Sequence, residues 1–266
     1  MNPFKLHRAQ SLEDAADAFQ GADEARFLAG GQTLIPVLKQ RLAAPSDLVS
    51  LAGIDGLSGI TANQNAITVG AMTRHADVAA NDEVKRLIPA LAELAGGIGD
   101  PHVRNRGTMG GSLANNDPAA DYPAAVLGLG ARVVTDRREI GADDYFQGLF
   151  TTALEDGELI VRIVYPVPEQ AGYVKMPHPA SRYCLVGVMV SRGPAGVRVA
   201  VTGAGQGGVF RVPEMEARLA ASFTVEAIAG MGVPPDDMMS DIHAGADYRA
   251  HLVGVLARRA VAKAIA

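Results

Sequence analysis

Hydrophobic positions recur at helical spacing in several stretches of the chain and at strand spacing in others. Leu12, Ala15, Ala16 and Phe19 fall on one face of a helix over 11–20, with Ser11 placed to cap it and Asp14 three residues on. Arg26 to Ala29 is a short apolar run suited to a buried strand. Gly30 and Gly31 break it, and 32–41 reads as a second helix with Leu34, Ile35 and Leu38 inward. Pro36 fits only near the start of that helix. Asp47 to Leu51 is another strand. A hairpin follows, with strands at 57–62 and 66–70 around the polar turn Asn63, Gln64, Asn65. Helices are predicted over 74–80, 83–95 and 122–130, strands over 131–135 and 159–165, and irregular backbone over 96–111. Pro166 and Pro168 mark a boundary. Beyond them Val174, 185–190 and 197–201 suggest meandering strands, 203–208 a flexible turn, and 213–231 and 246–265 helices, the last with Leu252, Val255, Leu256 and Ala260 on one face. The expected organisation is a unit over 1–168, with lobes at about 1–53 and 54–168, followed by a unit over 169–266.

Composition narrows the function. In 266 residues, 48% are hydrophobic and 20% charged, enough apolar mass for a real core. The net charge of −5 argues against nucleic acid or an anionic membrane as partner, which select basic surfaces. The absence of tryptophan and the 5% aromatic content disfavour a base-stacking surface. No apolar run approaches the ~18 residues of a membrane span, and the N-terminus lacks the apolar core of a signal peptide, so the expected location is cytoplasmic. Cys184 is the single cysteine. It cannot hold an iron–sulfur cluster, which needs about four thiolates. Its apolar strand suggests a buried structural thiol.

Two glycine-rich segments carry the candidate chemistry. In Leu28, Ala29, Gly30, Gly31, Gln32, Thr33, Leu34 a strand runs into a double glycine and a helix begins at once. Glycine allows positive φ and close backbone approach, and amides at a helix start suit a phosphate. A plain strand–turn–helix connection is the alternative. The segment is neither a P-loop nor the dinucleotide fingerprint. The second segment, 104–121, packs glycines, amides and two carboxylates between apolar flanks. Buried polar groups of this kind need partners, which a ribityl chain and a pyrophosphate would supply. Asp117 before Pro118 reads as a helix N-cap. Asp121, one turn later, is harder to explain as a cap.

Together, AGGQTLIPVLKQR (29–41) and RNRGTMGGSLANNDPAADYPA (104–124) resemble the FAD-binding medium subunit of the molybdenum hydroxylase family, which includes carbon monoxide dehydrogenase and xanthine dehydrogenase. The likeness extends through VGAMTRHADV (69–78), ELIVRIVYP (158–166), YVKMPHPASRYCLVGV (173–188) and DYRAHLVGVLARRAV (247–261). The resemblance implies an α+β fold: a two-lobed FAD-binding domain of the vanillyl-alcohol-oxidase (PCMH) type, then a C-terminal domain of antiparallel strands and helices. It implies non-covalent FAD here, with molybdopterin and [2Fe-2S] clusters only in the large and small partner subunits of a dimer of heterotrimers.

Carried over by position, residues 28–34 would wrap the pyrophosphate and adenosine side. Ile98 and Gly99 would lie against the flavin. Val103, Gly107, Thr108, Gly111, Ser112, Ala114 and Asn115 would line the ribityl and phosphate tunnel. Asp121 would hydrogen-bond the cofactor, Ile160 would pack on the ring system, and Lys175 would reach the ring's polar edge. From the residues alone, Lys175 is a solvated charge after a strand. Met176 to Pro179 and Arg182–Tyr183 depart from the family pattern. Arg104 and Arg106 suit either phosphate or an iron–sulfur partner, and His102 reads as an exposed loop histidine. Two other readings stand beside an electron-transfer subunit: a stand-alone FAD-dependent reductase of the same fold, and a non-catalytic scaffold protein.

Overall fold

The computed structural model describes residues 1–266. The first fifty residues build β1 (Lys5–Arg8), α1 (Leu12–Gln20), β2 (Ala25–Leu28), α2 (Leu34–Lys39) and β3 (Asp47–Ser50). The strands form a parallel sheet in the order β1-β3-β2. Ser11 Oγ accepts from Asp14 N at 3.1 Å and caps α1, as its spacing predicts. The Phe19 and Phe27 rings stack at 4.6 Å between helix and sheet. β1 is not visible in the hydrophobic pattern. Its residues are largely exposed, and the ladder to β3 holds it.

The chain then forms β4 (Ile60–Ala62), β5 (Ala66–Gly70), α3 (His75–Ala80), α4 (Asp82–Leu87), α5 (Pro89–Gly96), α6 (Pro101–Arg104), α7 (Met109–Asn115), α8 (Tyr122–Leu129), β6 (Arg132–Thr135), β7 (Glu139–Gly141), α9 (Ala142–Tyr145), β8 (Phe146–Gly148), β9 (Thr151–Thr152) and β10 (Ile160–Pro166). An antiparallel sheet of five strands runs β4-β5-β10-β6-β7. Asn63 Oδ1 accepts from Asn65 N and Ala66 N at 2.8 and 2.9 Å and closes the expected hairpin. The helix expected over 83–95 is two helices. Pro89 has no N–H to continue the ladder, and Ile88 stands between them at φ −138°, ψ 69°. The irregular stretch over 96–111 contains α6 and the start of α7.

The C-terminal third comprises β11 (Gln170–Pro177), β12 (Cys184–Gly193), β13 (Gly196–Gly205), β14 (Gly208–Arg211), α10 (Pro213–Ala221), a 3-10 turn (Glu226–Ile228) and α11 (Ala246–Ile265). The four strands make an antiparallel meander. The flexible turn expected over 203–208 shrinks to Gln206 and Gly207, because β13 runs through Gly205. The helix expected over 213–231 stops at Ala221. All eight residues of α8 are buried. A helix apolar on every side needs cover all round. It receives it from the five-stranded sheet and from β12, β13 and β14. Ser191 Oγ donates to Gly128 O at 2.6 Å, and Arg198 donates to Leu127 O and both oxygens of Asp143, so polar contacts also fix the C-terminal sheet to α8. No helix is long and apolar enough to cross a membrane.

Candidate functional site

Gly31 turns the chain from β2 into α2 at φ +72°, a conformation natural to glycine. The backbone N–H groups of Ala29, Gly30, Gly31, Gln32, Thr33 and Leu34 donate to no acceptor in the chain. Buried backbone donors are normally paired, exposed ones by water. Gln32 and Thr33 are exposed and the other four half-buried, so these amides, at the start of α2, are open to water or to an anion. Gly30 is fixed by close approach: a Cβ there would lie 2.2 Å from Arg106 O and 2.8 Å from Gly107 Cα. The two glycine-rich segments, far apart in sequence, therefore touch backbone to backbone.

Two of the three side-chain amides of the second segment are satisfied within the chain, Asn105 by Pro101 O at 2.7 Å and Asn116 by Gly148 O and Thr151 O, and the backbone amides that open α7 are also taken. Met109 N donates to Thr73 O at 3.0 Å, Gly110 N to Ala71 O at 2.8 Å, and Gly111 N to the capping Thr108 Oγ1 at 3.2 Å. A Cβ on Gly110 would meet Ala71, and one on Gly111 would meet Thr108 Oγ1 at 2.8 Å and Ala29 Cβ at 3.5 Å. These glycines admit protein neighbours. The Ser112 and Asn115 side chains, one helical turn apart on α7, have no protein partner, and Ala114 is exposed. Asp117 caps no helix. Its carboxylate accepts from Ala119 N at 2.8 Å in a turn, and α8 starts later, at Tyr122.

Sequence reasoning missed Asn116. It ends α7 in the left-handed region at φ 43°, and its buried amide donates to Gly148 O at 2.8 Å and Thr151 O at 2.9 Å. Asparagine at a helix end was the available signal.

Ile98, Gly99 and Val103 form one knot. Gly99 stands at φ +49° with Val103 against it, and Arg104 Nη1 donates to Ile98 O at 3.0 Å and Gly99 O at 3.1 Å. Arg104 is thus committed within the chain, whereas Arg106 and His102 are exposed. Beside this knot, Lys175 Nζ donates to Gly97 O at 2.8 Å and pairs with Asp121 at 2.9 Å. It is no solvated charge: its side chain is 11% exposed. Asp121 is buried and also accepts from Tyr173 Oη at 2.6 Å. Burial pushes its carboxyl pKa up, and Lys175 and Tyr173 pull it down. Ile160 is buried in the core of the five-stranded-sheet lobe. Cys184 is buried, and burial pushes its thiol pKa up, consistent with an inert structural thiol. The 178–183 loop turns on Arg182 at φ +62° and leaves Tyr183 exposed.

His75 lies beneath the contact between the two segments. Its backbone N–H donates to Gly107 O at 3.1 Å, and a Cβ on Gly107 would meet its ring. Its Nδ1 and the neighbouring Tyr122 hydroxyl are buried without partners. Burial, helped by the Arg104 charge, lowers its pKa from 6.5 to about 4. The unfolded chain therefore binds the proton first. This contribution to stability is complete above about pH 6.5 and is lost as pH falls towards 4, reaching about 3 kcal/mol. Urea unfolding at about pH 7 and about pH 4.5 should show a smaller acid loss in His75→Leu than in wild type. Equal losses would remove His75 as the cause.

Residues 2–168 match the family described as the FAD binding domain in molybdopterin dehydrogenase. The chain belongs to this family. It is 36% identical to the nicotine 6-hydroxylase medium subunit of Paenarthrobacter nicotinovorans, over 96% of this chain and 94% of that protein. It is 32% identical to the carbon monoxide dehydrogenase medium chain of Hydrogenophaga pseudoflava, over 97% and 96%. A chain of the reconstituted CO dehydrogenase from Oligotropha carboxidovorans superposes with a TM-score of 0.88 at 31% identity, covering 99% of this chain and 98% of that one. The α+β fold of a medium subunit expected from the sequence is borne out. The local chemistry suits the family's cofactor: the open amides of 29–34 can meet a pyrophosphate, and Ser112 and Asn115 offer unpaired polar groups to a polyol.

Proposed function

We propose that the chain holds FAD non-covalently and passes electrons between iron–sulfur clusters of a partner subunit and an external acceptor, within a molybdenum-containing hydroxylase or dehydrogenase. The observation that carries this reading is the run of six unpaired amides over 29–34, pressed against the second glycine-rich segment through Gly30. Bound FAD supplies the electron-transfer chemistry, and the protein binds, orients and tunes it. In this reading Leu28 to Leu34 hold the pyrophosphate and adenosine side. Val103, Gly107, Thr108, Gly111, Ser112, Ala114 and Asn115 line the path of the ribityl chain. Ile98 and Gly99 meet the ring system, with Asp121 and Lys175 at its polar edge and Ile160 behind it.

The residue range of the family match supports a cofactor domain over 1–168, and the division of the strands into a three-stranded, a five-stranded and a C-terminal four-stranded sheet supports lobes at about 1–53 and 54–168 and a C-terminal unit over 169–266. The single cysteine supports a partner that carries the [2Fe-2S] clusters, and the likeness to medium subunits supports a further partner that carries the molybdopterin. A dimer of heterotrimers in the cytoplasm completes the proposal. Purification of the native complex tests it. Flavin, iron and molybdenum should co-purify with one small and one large additional chain. A lone chain that turns over a substrate by itself would overturn it.

A further inference from the structure

Tyr173 and Lys175 are two residues apart on β11 and so project to the same face of the sheet. Asp121, at the start of α8, meets them there. Its carboxylate accepts from Tyr173 Oη at 2.6 Å and faces Lys175 Nζ at 2.9 Å. Lys175 in turn donates to Gly97 O at 2.8 Å and Arg182 O at 3.4 Å, tying the ammonium to the turn that leads into Ile98 and Gly99. The site for the phenol is built into the fold. Gly187 stands opposite Lys175 in the β11–β12 ladder, and a Cβ on it would lie 2.5 Å from Tyr173 Oη. Only glycine leaves room for that hydroxyl. A buried carboxylate needs donors on its oxygens, and Tyr173 is the uncharged one of the two that Asp121 has.

We propose that Tyr173 is a positioning residue for the flavin, acting through Asp121 to hold the Lys175 ammonium in place beside the cofactor with its charge balanced, and so to tune the cofactor's reduction potential. The inference rests on the FAD reading given above. The titratable and charged groups around Asp121 are Lys175 and Tyr173 on β11, Cys184 on β12, Tyr122 on α8, and Arg249 on α11, which lies beyond Cys184 and is paired with Asp241. In Tyr173→Phe the carboxylate keeps one donor instead of two and takes up a proton at higher pH. The Lys175 charge is then uncompensated, and the reduced cofactor is favoured.

Spectroelectrochemical titration of the FAD-loaded chain from about pH 8 to about pH 5 tests this. Tyr173→Phe should shift the midpoint potential to more positive values, by at least tenfold in the reduction equilibrium at the acid end, about 30 mV for a two-electron couple. The difference should shrink towards alkaline pH. Gly187→Ala, which keeps the phenol but displaces its hydroxyl, should shift the potential in the same direction. The inference fails if Tyr173→Phe matches wild type at every pH, or if it loses FAD outright while Gly187→Ala matches wild type. A wild-type chain that takes up no FAD is a separate failure, that of the cofactor reading, and takes the inference with it.

Discussion

Gly30→Ala should lose FAD while Gly207→Ala keeps it. The added Cβ at position 30 would stand 2.2 Å from Arg106 O, and at position 207 it would meet nothing within 4 Å. Arg106 O belongs to backbone that leads straight into Gly107, itself pressed against His75. It cannot swing aside as the end of a flexible side chain can. The cheapest relief is separation of the two glycine-rich segments. Overpacking of this kind costs about 1–3 kcal/mol. At the upper end, if the loss falls on the bound geometry, affinity drops about a hundredfold. Equilibrium dialysis of both variants against FAD measures the difference. Equal affinity would mean that contact between the segments is irrelevant to binding.

Asp121→Ala should destabilise the fold by about 3–5 kcal/mol, the cost of stranding one partner of a buried ion pair. The upward shift of the Asp121 pKa says that burial costs the carboxylate more than Lys175 and Tyr173 return. Breaking the pair from one side is costly because Lys175 is left nearly enclosed and the Tyr173 hydroxyl loses its only strong acceptor. Urea unfolding of the cofactor-free chain at neutral pH reads the effect directly. A loss below about 1 kcal/mol would show that Lys175 reaches water freely.

The sequence made some of this legible and hid the rest for identifiable reasons. Ser11 caps its helix and Asn63 closes its hairpin because both act within four residues. The double glycine at 30–31 announces a turn, but no local pattern announces that Gly30 abuts Arg106. That contact belongs to the tertiary fold. The second segment was misleading in the same way. Its side-chain amides suggest a ligand, yet Asn105 donates to Pro101 O and Asn116 to Gly148 O and Thr151 O, the last two acceptors more than thirty residues away. Asp117 reads as a cap because Asp-Pro opens turns and helices alike, and in the fold a turn comes first. Lys175 could not be recognised as paired, since its partner lies on another element, 54 residues away. The family resemblance reached the fold and the cofactor where the local signals did not.

This chain by itself should form a non-covalent FAD site. Purified chain, stripped of flavin and titrated with FAD, should bind one equivalent and release it on acid denaturation. A folded chain that takes up no FAD, or that retains flavin in its denatured polypeptide, would contradict it.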